Sequence, residues 1–169
     1  MDINLIPPGD NPPDNINVLV EIPQGGLIKY EFDKQTGALF VDRFLATEMV
    51  YPGNYGFIPQ TLADDGDPLD VLIISPASVM PGAVVRCRPV GVLKMEDEQG
   101  GDDKIVAVPF GWAEPRDLTP TMRNRIAHFF EHYKDLEPGK WVRIIGWGEV
   151  AEAADLITAA LNRAGDHSH

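Results

Sequence analysis

The sequence predicts an α+β fold that is mainly β. Short runs of alternating apolar and polar residues separated by turns fill the first half of the chain. Apolar residues at helical spacing become clear only after Pro120, and an Ala-rich segment follows near the end. At 169 residues, with 44% hydrophobic and 24% charged residues, the chain has the size and composition of one globular domain spanning 1–169.

The first strands are predicted as hairpins. Ile16–Pro23, Ile28–Asp33 and Ala38–Phe44 alternate in polarity, and the turns Gln24–Gly26 and Lys34–Gly37 separate them. Short loops between such strands are typical of an antiparallel meander that can curl into a barrel. We therefore expect a curled antiparallel sheet, with helices packed outside it.

The remaining elements follow from turn residues and periodicity. Residues 51–59 contain two prolines, two glycines and three aromatic residues, which predicts a rigid, irregular segment. Thr119 and Pro120 form a helix start, and Gly165 is a helix stop. Strands are predicted over 71–74, 84–94 (bent at Pro89 and Gly91), 105–109 and 141–147, helices over 120–134 and 151–164, an irregular lead-in over 1–15 and a frayed tail over 166–169.

The charge of the chain limits its partners. Lys and Arg number 14 against 26 Asp and Glu, a net charge of −12. Such an excess disfavours binding to nucleic acid or to an anionic membrane. The N-terminus has no signal-peptide pattern, no apolar run approaches a membrane span, and the single cysteine, Cys87, allows no internal disulfide. We therefore expect a cytoplasmic protein.

The stretch 64–70 carries four carboxylates and leads directly into an apolar strand. Carboxylates this close raise one another's pKa unless a cation lies among them, and an all-oxygen set favours a hard ion. An acidic surface turn is the alternative. An EF-hand is a poor match, because its Gly position is Asp70 and its final Glu position is Pro76.

A second acidic window, 96–103, also precedes an apolar strand. Two carboxylate loops suggest a site in which several ions neutralise an anionic substrate and activate a water. Such a site also needs cationic and neutral donors for the phosphate oxygens. Candidates are Lys29, Arg43, Lys104 and Lys134, with Tyr51, Tyr55 and Tyr133; for each cation alone, a solvated surface position is the simpler interpretation.

Several segments in order resemble the family I soluble inorganic pyrophosphatases of the prokaryotic type. The family pattern Asp-x-Asp-Pro-x-Asp-Val is present at 65–71. The resemblance extends from Val18 to Trp147, with no correspondence between Phe110 and Thr121, so Trp112, Glu114 and Arg116 receive no role. The other matching segments are Glu21–Pro23, Ile28–Glu31, Gly37–Arg43, Tyr51–Gly56, Asp97–Glu98 with Asp102 and Lys104, and His128–Leu136.

The resemblance implies a five-stranded OB-type β-barrel with flanking helices. It implies Mg2+-dependent hydrolysis of pyrophosphate to two orthophosphates by a metal-activated water, with several ions per subunit and Mn2+ or Zn2+ as substitutes. It also implies a homo-oligomer, with a hexamer favoured. Carried over by position, the metal ligands are Asp65, Asp70, Asp97 and Asp102, the general base is Asp67, the substrate-binding residues are Lys29, Arg43, Tyr55, Tyr133 and Lys134, and the supporting residues are Glu21, Glu31, Tyr51 and Lys104.

Two other functions remain as alternatives. An OB-type barrel can hold single-stranded nucleic acid, but it then needs a basic groove. A metal-dependent phosphoesterase acting on an organic phosphate is the other. His128 and His132 lie one helical turn apart; they lack a third zinc ligand nearby, and a contact between subunits is the interpretation we prefer.

Overall fold

The computed structural model describes residues 1–111 and 118–167. Trp112, Glu114 and Arg116 lie outside the described residues. A 3-10 turn over Ile3–Leu5 precedes the main elements. These are the strands β1 (Ile16–Ile22), β2 (Ile28–Phe32), β3 (Leu39–Phe44), β4 (Asn54–Phe57), β5 (Asp70–Ile73), β6 (Val84–Asp97), β7 (Gly100–Gly101) and β8 (Lys104–Pro109), then helix α1 (Pro120–His132), strand β9 (Val142–Gly148) and helix α2 (Val150–His167).

Five strands pair in a closed ring. The order β1, β4, β5, β8 and β6 returns to β1 through a β1–β6 pairing, and β7 and β9 add to β6. The prediction of a mainly β fold with late helices is confirmed. The prediction of a wholly antiparallel sheet is wrong, because β5 and β8 pair in parallel, with Val71 opposite Ile105. Parallel pairing brings the two acidic loops, which precede these two strands, to the same edge of the sheet.

The predicted meander also fails between β1 and β2. Strands β2 and β3 form a separate two-stranded sheet, and β1 pairs with β4 and β6 instead. The Gly25 N–H donates to the Tyr51 carbonyl (2.9 Å), and the Tyr51 N–H donates to the Gly26 carbonyl (3.2 Å). A side chain connects β1 to β2, since the Glu21 carboxylate accepts from the Phe32 N–H at 2.8 Å.

Within the segment predicted as irregular, residues Asn54–Phe57 form strand β4. A Cβ at Gly56 would lie 1.9 Å from the Leu19 carbonyl oxygen, so only glycine permits this approach of β4 to β1. The glycines and prolines of 51–59 thus permit close packing as well as turning. Tyr51, just before the strand, is 1% exposed.

The other predicted strands and helices are present, with shifted boundaries. The long strand β6 has its irregularity between Pro89 and Gly91, as predicted, but extends to Asp97. The Thr119 side chain caps α1 by accepting from the Met122 N–H at 3.2 Å. Helix α2 continues through Gly165 to His167, so the predicted stop is wrong. None of the helices in residues 1–111 and 118–167 is long and apolar enough to cross a membrane.

The core divides between the two helices. Ala153, Ile157 and Ala160 of α2 pack into a cluster with Val18 and Val71 of the ring. The second cluster is rich in aromatic side chains and lies between the ring and α1; its aromatic members include Tyr51, Tyr55, Phe129, Phe130 and Tyr133. The polar side chains of the candidate active site lie against this second cluster.

Candidate active site

One cleft, with a volume of about 820 Å³, is lined by every residue to which the sequence assigns a catalytic, metal-binding, substrate-binding or supporting role. Its walls come from β1, the β2–β3 hairpin, the acidic loop before β5, the end of β6, the start of β8 and the end of α1. The predicted residues that line it are Glu21, Lys29, Glu31, Arg43, Tyr51, Tyr55, Asp65, Asp67, Asp70, Asp97, Asp102, Lys104, Tyr133 and Lys134.

Lys104 lies at the centre of the acidic wall and is 3% exposed. Its Nζ donates to Asp70 Oδ2 at 2.8 Å and to Asp102 Oδ1 at 2.9 Å. The ammonium also lies over the rings of Tyr55 and Phe130, 5.5 and 5.7 Å from their centroids. Burial alone lowers the pKa of Lys104, but the negative charge of Asp70, reinforced by Asp102, outweighs it and holds the pKa well above the usual range.

Two carboxylates near Lys104, Asp102 and Asp65, have raised pKa values. Burial raises the pKa of Asp102 despite its bond to Lys104, and the charge of Asp70 adds to the effect. Burial also raises the pKa of Asp65, although the Asp67 N–H donates to its Oδ1 at 3.0 Å. A bound cation relieves both effects by favouring the charged carboxylates.

The donor set suits a hard divalent ion, because it consists of carboxylate oxygens from two loops at one edge of the sheet. Within the described residues, no three of the Asp, Glu, His and Cys side chains form a group that could hold a metal ion in their present positions. The Lys104 ammonium lies between Asp70 and Asp102. A metal ion bound by these carboxylates would require their side chains to shift around this lysine.

A second ion pair lies where α1 meets the end of β6. The Lys134 Nζ is 3.1 Å from Asp97 Oδ2 and 3.9 Å from Glu98 Oε1, and Lys134 is 6% exposed. Burial tends to raise the pKa of Asp97, but the Gln99 N–H and the Lys134 ammonium outweigh it, and the pKa falls below its ordinary value. Asp97 is thus held in its charged form at neutral pH.

The hairpin supplies the cations of the opposite wall. Lys29 and Arg43 are opposite each other in the β2–β3 register. Asp42 Oδ2 lies 3.1 Å from Lys29 Nζ and 3.7 Å from Arg43 Nε, and Glu137 pairs with Arg43 Nη1. Sequence reasoning gave no role to Asp42 or Glu137. Asp42 lies next to Arg43 within the matched segment 37–43, and this position is the feature of the sequence from which its role could be predicted.

Three tyrosines complete the cleft with neutral hydroxyl donors. Tyr51 lies between Tyr55 and Tyr133, with ring centroids 5.3 and 6.4 Å away. Burial raises the pKa of all three phenols above their ordinary value, so they remain protonated at neutral pH. Asp67 and Glu31 are exposed at the mouth of the cleft. Asp64 is exposed and pairs with Arg163 at 3.0 Å.

Glu21 is the buried acid of the cleft, 7% exposed. Burial raises its pKa from 4.5 to about 8; the Phe32 N–H opposes this, whereas the charges of Asp70 and Glu31 reinforce it. Glu21 is therefore mostly protonated at pH 7. Its carboxyl group fixes β2 relative to β1 more than it adds charge to the site.

Comparison with known proteins identifies the family to which the chain belongs. A family model described as inorganic pyrophosphatase matches residues 18–165. The chain belongs to the inorganic pyrophosphatase family. The predicted resemblance is thereby confirmed, together with the predicted enzyme class.

Relatives and solved structures agree along nearly the whole chain. The inorganic pyrophosphatase of Gluconobacter oxydans is 54% identical, covering 95% of this chain and 98% of that protein. The inorganic pyrophosphatase of Aquifex pyrophilus is 58% identical, covering 90% of each chain. The crystal structure of inorganic pyrophosphatase from Thermus thermophilus has a TM-score of 0.94 at 41% identity and covers 98% of this chain and 99% of that chain.

The raised pKa of Glu21 predicts a pH-dependent gain in stability for Glu21→Gln. Above pH 4.5 the ionisation of Glu21 stabilises the unfolded state, whereas in the folded state Glu21 ionises only near pH 8. The wild type therefore loses stability between these values, and the glutamine variant, whose side-chain carbonyl can still accept from Phe32, does not. Urea unfolding at one fixed protein concentration should show the variant gaining on the wild type from pH 5 to pH 8; an equal difference at both pH values would contradict the assignment.

Proposed function

We propose that this protein hydrolyses inorganic pyrophosphate to two orthophosphates with the help of Mg2+. The observation that carries the proposal is the single cleft in which carboxylates for cations face lysines, an arginine and tyrosine hydroxyls for phosphate oxygens. The relatives named inorganic pyrophosphatase, at more than half identity, support the same activity. Phosphoryl transfer depends mainly on positioning and charge neutralisation, and this cleft is organised for both.

The residues that would hold Mg2+ are Asp65, Asp70, Asp97 and Asp102. All four offer hard oxygen ligands, and burial leaves Asp65 and Asp102 with raised pKa values that a cation would lower. Bound Mg2+ supplies Lewis-acid neutralisation of the phosphate oxygens and lowers the pKa of a coordinated water. Because four carboxylates are available, we also propose that several Mg2+ ions bind together.

The substrate-binding residues are Lys29, Arg43, Lys134, Tyr55 and Tyr133. Each of the three cations has a carboxylate partner before substrate arrives: Asp42 for Lys29, Glu137 for Arg43 and Asp97 for Lys134. These partners hold the cations at the cleft wall and lower the cost of keeping them buried. Pyrophosphate oxygens would share or replace the partners, so the cations need little reorganisation.

Asp67 is the proposed general base. It is exposed at the mouth of the cleft, and its N–H fixes the neighbouring Asp65 carboxylate at 3.0 Å. An accessible carboxylate next to the proposed metal ligands can take a proton from a water held between them and the substrate. Glu31 is a further acidic neighbour, while Lys104, Glu21 and Tyr51 shape the field and the walls of the cleft.

The proposal also covers the barrel type, the assembly, the location and the partners of the protein. The closed ring of five strands supports an OB-type barrel within a single pyrophosphatase domain over 1–169. A homohexamer in the cytoplasm follows from the resemblance, and exposed apolar side chains such as Phe40, Phe44 and Ile145 support contact between subunits. The acidic cleft and the net charge of −12 favour neither nucleic acid nor an anionic membrane as partner.

A phosphate-release assay tests the proposed substrate. With Mg2+ present, we expect release from pyrophosphate to exceed release from ATP or a sugar phosphate, because the cleft is lined largely by charged and hydroxyl groups. Equal or faster release from the sugar phosphate would favour a phosphoesterase instead. The absence of release from all three would remove the hydrolase assignment.

Asp67→Asn tests the base. The amide preserves the shape and the backbone bond to Asp65 but cannot accept the proton, so we expect turnover to fall on the order of a hundredfold or more. Asp64→Asn is the matched control, because Asp64 is a neighbouring exposed acid that borders only the smaller adjoining pocket and does not line the 820 Å³ cleft. Near-normal turnover in Asp67→Asn, with the fold retained by circular dichroism, would remove Asp67 from this role.

A further inference from the structure

We propose that Arg163 of α2 is a positioning residue that holds the acidic loop, defined as residues 61–69, in the place where Asp65 and Asp67 serve the cleft. This inference rests on the proposed function for the roles of those two aspartates. Arg163 does not line the 820 Å³ cleft. It borders an adjoining pocket of about 70 Å³ that shares Asp65, Asp70 and Asp102 with the cleft, and its hydrogen bond and its ion pair go to the loop. Nothing in the sequence motifs of the site marks it.

Helix α2 contacts the acidic loop at both polar backbone groups of Leu62. The Arg163 Nη1 donates to the Leu62 carbonyl at 2.6 Å, and the Leu62 N–H donates to the Ala160 carbonyl at 3.0 Å. The Arg163 Nη2 also lies 3.0 Å from Asp64 Oδ1. One arginine therefore contacts the loop at two points separated by a single residue.

The acidic loop is stiff enough to transmit this constraint. The Ala63 N–H donates to the Asp67 carbonyl at 2.7 Å, and the Gly66 N–H donates to the Ala63 carbonyl at 3.0 Å. The Thr61 hydroxyl, which is buried, accepts from the Leu69 N–H at 3.0 Å and so closes the base of the loop. Fixing Leu62 therefore fixes the segment that carries Asp65 and Asp67.

Helix α2 provides a rigid anchor. Ala153, Ile157 and Ala160 follow one another at helical spacing, are at most 1% exposed and pack into the core of the ring. Arg163 is the next position on this stripe, three residues after Ala160. The helix is therefore fixed by its buried face, and its last turns carry the arginine to the loop.

The hydrogen bond of Arg163 to Leu62 and its ion pair with Asp64 differ in strength. The Asp64 side chain is 91% exposed, so its ion pair with Arg163 is screened by water and contributes little. The bond to the Leu62 carbonyl is charge-assisted and lies where the Arg163 side chain is 37% exposed. We therefore assign the positioning effect to the carbonyl bond.

The test compares Arg163→Ala and Arg163→Lys with the controls Asp64→Asn and Arg123→Ala. Arg123 pairs with Glu149 and lies outside the cleft, so its loss removes an arginine without touching the loop. Hydrogen–deuterium exchange is measured on peptides covering 58–70 in metal-free protein, and Mg2+ affinity by calorimetry. Mg2+ and pyrophosphate dependence of phosphate release are measured in parallel.

Arg163→Ala should speed exchange in 58–70 by roughly tenfold or more, with exchange in β8 unchanged, because a charge-assisted bond to the backbone is lost. Mg2+ affinity should fall. The Mg2+ concentration for half-maximal phosphate release should rise by about the same factor as the Mg2+ dissociation constant, while the KM for pyrophosphate stays near the wild-type value. Arg163→Lys should recover part of each effect, and both controls should behave as wild type.

Unchanged loop exchange and Mg2+ affinity in Arg163→Ala would overturn the proposal. So would faster exchange spread equally over β8, because that pattern indicates a general loss of stability. If Asp64→Asn reproduces Arg163→Ala, the carbonyl bond is not the cause. If the wild type releases no phosphate, the proposed function fails, but exchange and Mg2+ binding still decide the role of Arg163.

Discussion

The buried ammonium of Lys104 is the contact on which the site depends. Strands β5 and β8 are parallel neighbours, so the aspartates at their starts meet at one edge of the sheet. Without a cation between them, Asp70 and Asp102 would be two partly buried like charges that repel each other. Lys104 donates to both, at 2.8 and 2.9 Å, and its positive charge offsets the repulsion between them.

The same principle of paired charges extends across the cleft. Lys134 with Asp97, and Lys29 with Asp42, place cations beside acids in an otherwise strongly acidic chain. A cleft built in this way remains acidic overall, yet it offers separate groups for metal ions and for phosphate oxygens. That separation is what the hydrolysis of a small, highly charged anion requires.

The sequence predicts which residues share a cleft better than it predicts how the strands pair. The acidic loops and the cations lie in short local motifs that can be recognised from residue type and spacing, and the residues assigned to the site all line one cleft. Strand pairing depends on distant partners: β1 pairs with β6 rather than β2, and a Glu21 side chain takes the place of a β1–β2 ladder. Contacts such as Arg43 with Glu137, or Arg163 with Leu62, join residues 94 and 101 positions apart and carry no local signal.

The most direct test of this account is the unfolding free energy of Lys104→Met, measured in urea with and without Mg2+ at one protein concentration. Met nearly matches the volume of Lys but leaves Asp70 and Asp102 unpaired, so we expect a loss of about 3–5 kcal/mol without metal. Mg2+ should restore more stability to the variant than it adds to the wild type. A variant as stable as the wild type without metal, or one that Mg2+ does not rescue, would contradict the account.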